Sequence, residues 1–420
     1  MATSTNADNA FGSANPHALA AILEASETRR IIAATDIFDL AGTKLWARNQ
    51  PVSASLQRKL LDRQLRRPLE SCLVAEDGVT PASLVKSLQA LLQRDSSLAP
   101  ILRTHGARLL REAACLPLHP VAQLLLTAAE SARPQSFDHA VTAMALNGAL
   151  MASSGGETGA VRLAMLCGLL HDVGEMYIDP RYCEDEADRD LDVHSYRQLV
   201  VHPHVGALLV SQLTDYPKAM ARAILEHHER LDGSGYPHAL QGDRITALGR
   251  LLAVTEATLG AAPNPRDELM RASIALRAVP GEFDLGWVGR ISQAANAEPP
   301  QQAAMEPSEI RARLVTLGNV LAAAEANVAS LAARSTLPAM KTALALSGFL
   351  LGRLRLGWNE SGMWNPNAML TSDAAEVEAV EDELYFRLRG VQRATLLRAG
   401  ELPPEEATAL VELCDSLAMG

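Results

Sequence analysis

The chain has 420 residues, of which 48% are hydrophobic and 21% are charged, a composition typical of a folded globular protein with two or three domains. Aromatic residues make up only 4%, and the dominance of Leu and Ala favours helices. The formal net charge of −11, from 38 basic and 49 acidic side chains, argues against a general nucleic-acid binder or a membrane-surface protein, because both need clustered Lys and Arg.

The five cysteines are scattered and form no Cys-x-x-Cys pair, which predicts a reducing compartment. The first residues lack the basic-then-apolar order of a signal peptide, and no uncharged apolar stretch reaches about 18 residues. We therefore expect a cytoplasmic protein without a membrane-spanning helix, a membrane partner or a nucleic-acid polymer as partner.

In chain order, residues 1–17 are predicted to be a flexible tail, and 18–129 a small accessory module. Within it, residues 31–79 are punctuated by Gly and Pro and are predicted to be either α/β or mostly helical. Region 130–297 is predicted to be a series of helices that carry the metal-binding residue types. The Pro-rich segment 298–307 indicates a linker, and amphipathic patterns over 308–420 predict a helical bundle without recognisable chemistry.

The fold class that follows is mainly α, with a small N-terminal module, a helical core and a C-terminal helical bundle. Outside the central region, helical periodicity covers residues 83–110, 120–130, 308–334, 338–352, 372–397 and 403–419.

Two doublets of metal-binding residue types lie about one helical hairpin apart, His171-Asp172 and His227-His228. The second runs directly into the turn-forming sequence Asp-Gly-Ser-Gly-Tyr-Pro at 232–237. Successive side chains on a helix diverge by about 100°, so adjacent ligands face different ions, and a carboxylate can bridge two of them. The doublets therefore predict a dinuclear metal site.

Three further residues lie on apolar helix faces. For His139 and His202 taken alone, a hydrogen-bonded core histidine is the more common explanation, and His204 lacks a pattern that would make it a ligand. Glu256 gives the clearest signal of a ligand. It lies eleven residues after Ile245, a spacing that places its carboxylate on the apolar, core-facing side of a helix. An ionised carboxylate in such a place is costly unless a cation compensates it.

These residues together resemble the HD-GYP family, a branch of the HD-domain phosphohydrolases, over about residues 130–295. The matching elements are His139, the segments 171–174 and 202–206, the segment 227–237 that ends in Gly235-Tyr236-Pro237, and the segment 250–256. The family's version of the last segment normally ends in Ala-Asp.

The resemblance implies an HD-type helical core that holds two or three divalent metal ions, usually iron or manganese. It also implies hydrolysis of the cyclic dinucleotide cyclic di-GMP to pGpG or GMP in bacterial second-messenger signalling. Carried over by position, the metal ligands are His139, His171, Asp172, His202, His227, His228 and Glu256. His171 and Asp172 are the central catalytic pair, with Asp172 bridging the metals, while Gly235, Tyr236 and Pro237 shape one wall of the substrate site.

Two departures from the family pattern concern the substrate site and one ligand. The family's HD motif continues Gly-Lys, and the lysine contacts substrate phosphate, whereas this chain has Glu175. A negative charge there should weaken the binding of a dianionic substrate. Glu256 replaces the family Asp, and its extra methylene displaces the carboxylate. Arg266 remains as a candidate phosphate contact.

Three functions stay open at this point. The first is a metal-dependent cyclic di-GMP phosphodiesterase. The second is a catalytically weakened HD-GYP module that acts as a sensor or docking platform, with a signalling protein partner contacting the helices of 308–420. The third is a phosphohydrolase for another nucleotide or phosphoester.

Overall fold

Helices account for most of the chain, which confirms the mainly α fold class. The computed structural model describes residues 10–182, 193–261, 268–297, 303–362, 374–400 and 402–417. Most of the predicted tail, 1–9, and half of the predicted linker, 298–302, therefore lie outside the described residues.

The N-terminal segment combines helices with four short strands, and these strands lie within residues 31–79, where the α/β alternative is therefore correct. Its elements are α1 (Pro16–Ala25), β1 (Ile31–Ala33), β2 (Ile37–Phe38), β3 (Lys44–Trp46), α2 (Ala54–Leu60), β4 (Leu73–Ala75), α3 (Pro81–Gln93) and α4 (Ala99–Ala113). β1 pairs antiparallel with β4, and β2 with β3. The side chain of Asn15 caps α1 by accepting two backbone N–H groups.

The central region is helical throughout its described residues. Its helices are α5 (Pro120–Ala132), α6 (Pro134–Ser153), α7 (Thr158–Leu170), α8 (Val193–Leu199), α9 (His202–Leu213), α10 (Lys218–Glu226), α11 (Ala247–Gly260), α12 (Glu268–Ala278) and α13 (Leu285–Ala295). A 3₁₀ turn, Val173–Tyr177, follows α7 directly. Buried side chains from Leu19 to Ile291 form one continuous core, so the N-terminal segment packs onto the central helices.

The C-terminal region forms a separate helical bundle. Its helices are α14 (Pro307–Arg334), α15 (Pro338–Ser361), α16 (Ala374–Ala399) and α17 (Pro404–Leu417). A second core, from Ile310 to Leu417, lies among them. By length and composition alone, α14 is apolar enough to cross a membrane, but its buried residues, such as Leu317 and Leu321, pack inside this bundle.

The predicted helix limits are right to within a few residues except in two places. The segment 83–110, predicted from its periodicity to be helical, forms two helices, α3 and α4. The backbone of Arg94 is extended and ends the first of them. The helix predicted to stop at Gly352 continues to Ser361. Leu354 and Trp358 are buried beyond that glycine, and their burial outweighs the cost of a glycine in a helix, about 1 kcal/mol.

The hairpin of α6 and α7 sets the position of the HD doublet, because α7 ends immediately before it. The two helices approach so closely at Gly168 that a Cβ there would lie 2.5 Å from the carbonyl oxygen of Ala143. Both atoms of that contact belong to rigid parts of the structure, so a larger residue would push α7 away from α6.

We therefore expect Gly168→Ala to lower the free energy of unfolding by about 2 kcal/mol or more, because backbone must move to admit the methyl group. Gly159 lies in the same helix, and a Cβ there would meet nothing within 4 Å. Gly159→Ala should leave stability unchanged or raise it slightly, since alanine favours the helix. Thermal unfolding of both variants compares them, and equal stabilities would contradict this account of the hairpin.

Candidate metal centre

Five helices of the described chain bring the predicted ligands together. α7 ends immediately before His171 and α10 immediately before His227. His202 is the first residue of α9, while His139 and Glu256 lie within α6 and α11. The C-terminal end of a helix carries a partial negative charge, so α7 and α10 both favour a cation beside their last turns.

One group of side chains consists of His139, His171, Asp172 and Glu256. Glu256 Oε2 lies 2.8 Å from His171 Nε2 and 3.2 Å from His139 Nε2. Asp172 Oδ2 lies 2.9 Å from His171 Nε2 and 3.5 Å from His139 Nε2. The longer Glu256 side chain therefore still reaches the group, although the family has Asp at this position.

A second group consists of Asp172, His202, His227 and His228. The other carboxylate oxygen of Asp172, Oδ1, lies 3.3 Å from the Nε2 atoms of both His202 and His227. Asp172 thus belongs to both groups and turns one oxygen towards each. A carboxylate placed in this way can bridge two ions.

Three of the imidazoles are held in one orientation by the backbone. The Nδ1 atoms of His171, His202 and His227 each donate to the carbonyl oxygen three residues earlier, at 2.8, 2.7 and 2.5 Å. In a neutral imidazole with its proton on Nδ1, the Nε2 atom carries a free lone pair. These backbone contacts therefore point the Nε2 atoms into the site, which is the orientation that imidazoles have when they bind a metal ion.

The spacing of the nitrogens fits a metal ion. His202 Nε2 and His227 Nε2 lie 3.1 Å apart, and His139 Nε2 and His171 Nε2 lie 3.2 Å apart. Two nitrogens that bind the same ion at about 2.1 Å lie about 3.0 Å apart when the N–metal–N angle is a right angle. They lie about 3.4 Å apart when that angle is tetrahedral. Lone pairs on two nitrogens this close repel each other, and a cation between the nitrogens, whether a proton or a metal ion, removes the repulsion.

Electrostatics differ between the two groups. Burial alone lowers the pKa of His139, but Glu256 overcomes it and raises that pKa to about 9. In the second group, burial and the adjacent His228 lower the pKa of His227 to about 3. Burial opposes ionisation of Asp172, yet His171 holds the pKa of this carboxyl well below its usual range. Burial also lowers the pKa of His228, so His227 and His228 offer neutral imidazoles beside the ionised carboxylate of Asp172.

The site opens to solvent on one side. His171, His202 and His227 are fully buried, whereas the side chains of His139 and Asp172 keep 21% and 12% of their exposure. A ligand from solution would therefore approach past His139 and the bridging carboxylate.

Gly174 brings the turn after the HD doublet against α9. A Cβ on Gly174 would lie 2.1 Å from the carbonyl oxygen of His202 and 2.7 Å from the nitrogen of Gly206. α7 ends four residues before this glycine, at Leu170. Gly174 therefore permits the backbone contact that sets the position of His202.

The loop of residues 229–240, called the GYP loop below, folds back over His228. A Cβ on Gly235 would lie 2.4 Å from the carbonyl oxygen of His228. The nitrogen of Tyr236 donates to the same oxygen at 3.1 Å, and the Tyr236 ring stacks on the His228 ring with centroids 4.6 Å apart. Gly233 has a φ of 88°, which favours glycine. The loop thus packs directly on one of the candidate ligands.

Glu229 is a residue that the sequence did not single out. Its buried carboxylate accepts the backbone N–H of His238 at 2.7 Å and that of Leu240 at 2.9 Å. These bonds close the GYP loop from inside. The only available signal was an acidic residue directly after a histidine pair, which also suits a metal ligand.

The residues predicted to contact substrate are less well defined. Pro237 follows Tyr236 through a cis peptide bond and is partly exposed. Glu175 is buried, and its peptide accepts a hydrogen bond from Arg133 Nη1 at 2.6 Å. Arg266 lies outside the described residues. His204 lines a groove of about 400 Å³ on the outer faces of α9 and α10.

Comparison with known proteins identifies the region that contains this site. Residues 123–279 match the model of the HD domain family. A cyclic di-GMP phosphodiesterase of Pseudomonas aeruginosa, PA4108, is 29% identical over 209 residues, which cover 49% of this chain and 47% of that protein.

Two other relatives match shorter stretches. The cyclic di-GMP phosphodiesterase response regulator RpfG of Xanthomonas campestris is 32% identical over 126 residues, covering 27% of this chain and 31% of that protein. The 3'3'-cGAMP-specific phosphodiesterase 3 of Vibrio cholerae is 30% identical over 88 residues, covering 21% and 18%. The chain therefore spans about half the length of the first relative and less of the others.

We expect Glu229→Gln to loosen the GYP loop, because an amide has one acceptor oxygen and would turn its NH₂ towards a backbone N–H. The loss of one buried hydrogen bond to a charged acceptor corresponds to about 1.5–3 kcal/mol. Hydrogen exchange of the His238 and Leu240 amides should accelerate, while amides within α7 serve as an internal reference. Unchanged exchange at both amides would show that Glu229 does not hold the loop.

Proposed function

We propose that the chain is a metal-dependent phosphodiesterase that hydrolyses a cyclic dinucleotide, because residues 123–279 match the model of the HD domain family and carry an HD-GYP-like motif. The observation that carries the proposal is the shared Asp172 carboxylate, which faces both groups of imidazoles. The relatives named as cyclic di-GMP and 3'3'-cGAMP phosphodiesterases support this substrate class.

In this proposal the two groups each hold one divalent ion. His139, His171, Asp172 and Glu256 would hold one ion, and Asp172, His202, His227 and His228 would hold the other. A site made of imidazoles and carboxylates without thiolates suits first-row divalent ions, so we propose iron or manganese. A third ion, which the family resemblance allows, has no further group of ligands among the described residues.

Bound divalent ions would polarise the scissile phosphate and would lower the pKa of a bound water molecule towards neutrality. The chain itself contributes position and exclusion of solvent. Asp172 fixes the separation of the two groups, and the backbone-anchored imidazoles keep their lone pairs directed inwards. Tyr236, stacked on His228, forms a wall beside the opening. Cyclic di-GMP cleavage to pGpG or GMP is the specific reaction that we propose.

We also propose three units in the chain: an accessory module at 18–129, the HD-GYP-like domain at 130–297 and a helical region at 308–420. We propose that the protein is cytoplasmic and that a signalling protein binds its C-terminal helices. The second candidate function, a weakened module that binds ligand without efficient turnover, is favoured by Glu175, because the family uses a lysine there.

We expect the purified protein to contain about two ions per chain and to hydrolyse cyclic di-GMP when Mn²⁺ or Fe²⁺ is supplied. Asp172→Ala should reduce both metal content and turnover, the latter by at least about 100-fold, because it removes a ligand of both groups. His204→Ala serves as the matched control, since that imidazole lines the outer groove. Two bound ions without turnover of any cyclic dinucleotide would refute the enzyme and support the sensor.

The charge at position 175 gives a separate expectation. If Glu175 repels the substrate, Glu175→Lys should raise kcat/KM by about tenfold, and Glu175→Gln should lie between the two, because it removes the charge without reversing it. Steady-state kinetics at low ionic strength compare the three proteins, and circular dichroism checks that the buried position tolerates lysine. Equal values for wild type and Glu175→Gln would remove the charge argument.

A further inference from the structure

The C-terminal bundle contacts the GYP loop through charged side chains. We propose that Arg353, on α15, is a positioning residue that holds this loop in the shape required for substrate binding, and that Arg387, on α16, supports the same loop from its other side. The proposal gives a role to a region whose sequence shows no chemistry, and it rests on the proposed function.

Arg353 joins the bundle to the loop directly. Its Nε atom donates to Asp232 Oδ2 at 2.6 Å, and its Nη2 atom donates to the carbonyl oxygen of Pro280. The other oxygen of Asp232 accepts the backbone N–H of Ser234 at 2.9 Å and the Ser234 hydroxyl at 2.7 Å. One carboxylate therefore fixes the internal turn of the loop and receives the guanidinium from α15.

Arg387 reaches the loop through Glu282. The guanidinium lies 3.0 Å from Glu282 Oε2, and the backbone oxygen of Glu282 accepts the N–H of Leu231 at 2.8 Å. Glu282 Oε1 lies 3.4 Å from the Ser234 hydroxyl. The segment around Glu282 thus connects α16 to the residues on either side of Asp232.

These contacts lie in partly dehydrated surroundings. The side chains of Asp232 and Glu282 keep only 8% and 4% of their exposure, and Arg353 and Arg387 keep 22% and 20%. Ion pairs that water screens poorly hold geometry better than exposed ones. Removing one arginine would leave a buried carboxylate without its guanidinium, and the loop would move to hydrate it.

Movement of Asp232 would reach the metal centre through the short loop. Asp232 lies only four residues after His228. Gly235 packs on the backbone of His228, and the Tyr236 ring stacks on the His228 ring. Arg353 contacts the loop and the carbonyl oxygen of Pro280, and neither partner is a candidate ligand. We therefore expect loss of Arg353 to affect substrate affinity more than metal content.

Arg355 provides a matched control on the same helix. Its side chain is 23% exposed, nearly the same as Arg353, but its guanidinium pairs with Glu325 of α14 inside the bundle. Arg353→Ala and Arg355→Ala therefore remove the same atoms from the same helix, and only the first breaks contact with the GYP loop.

The first test is hydrogen exchange of the full chain supplied with Mn²⁺, without substrate. In Arg353→Ala the amides of Leu231, Gly233 and Tyr236 should exchange at least about tenfold faster than in wild type, because the loop opens more often. Arg355→Ala should leave them unchanged, and Arg353→Lys should restore part of the protection. Equal exchange in the two alanine variants would overturn the proposal.

The second test is steady-state turnover of cyclic di-GMP by the same proteins. If the competent loop shape falls to about a tenth of the population, KM rises about tenfold in Arg353→Ala, with kcat and bound metal changed much less. A loss of metal, or a fall in kcat at unchanged KM, would contradict positioning. If wild type binds metal but turns over no cyclic dinucleotide, the proposed function fails, whereas the exchange experiment still decides whether Arg353 holds the loop.

Discussion

The candidate metal centre depends on one largely buried carboxylate. Asp172 lies among four imidazole nitrogens, with His139 and His171 on one oxygen and His202 and His227 on the other. The Nε2 atoms of His202 and His227 lie at about the distance of two ligands on one ion, and a cation between them would remove the repulsion between their lone pairs. The carboxylate keeps its charge only because imidazoles or ions surround it.

Much of the surrounding backbone keeps these side chains in place. Gly168 allows α7 to approach α6, and Gly174 allows the turn after the doublet to touch α9. Backbone carbonyls then fix three imidazole rings through Nδ1. Ordering long side chains around an ion costs entropy, and a preformed site has already met that cost during folding. The packing of the five helices would therefore increase the affinity of the site for an ion, because the side chains are already ordered before the ion binds.

The sequence predicted the candidate ligands because their signals are local. Residue type, adjacency in the doublets and the helical stripe that carries Glu256 are all visible within about four turns of helix. The contacts around the GYP loop were not predictable in the same way. Arg353 and Asp232 are 121 residues apart, and the local sequence around neither residue indicates that the two are in contact. The helix predicted to stop at Gly352 continues because Leu354 and Trp358 pack inside the bundle, and the local sequence does not show that packing.

The ties between the bundle and the GYP loop have a thermodynamic consequence for both candidate functions. Coupling between two sites is reciprocal: if Arg353 stabilises the loop shape that binds a cyclic dinucleotide, then a bound dinucleotide stabilises the contact of α15 with Asp232 by the same free energy. An enzyme would use that contact to hold its loop over the metal centre. A sensor would use it to report occupancy to whatever contacts the bundle. The same ion pair is therefore compatible with either function, because this coupling depends on ligand binding and not on turnover.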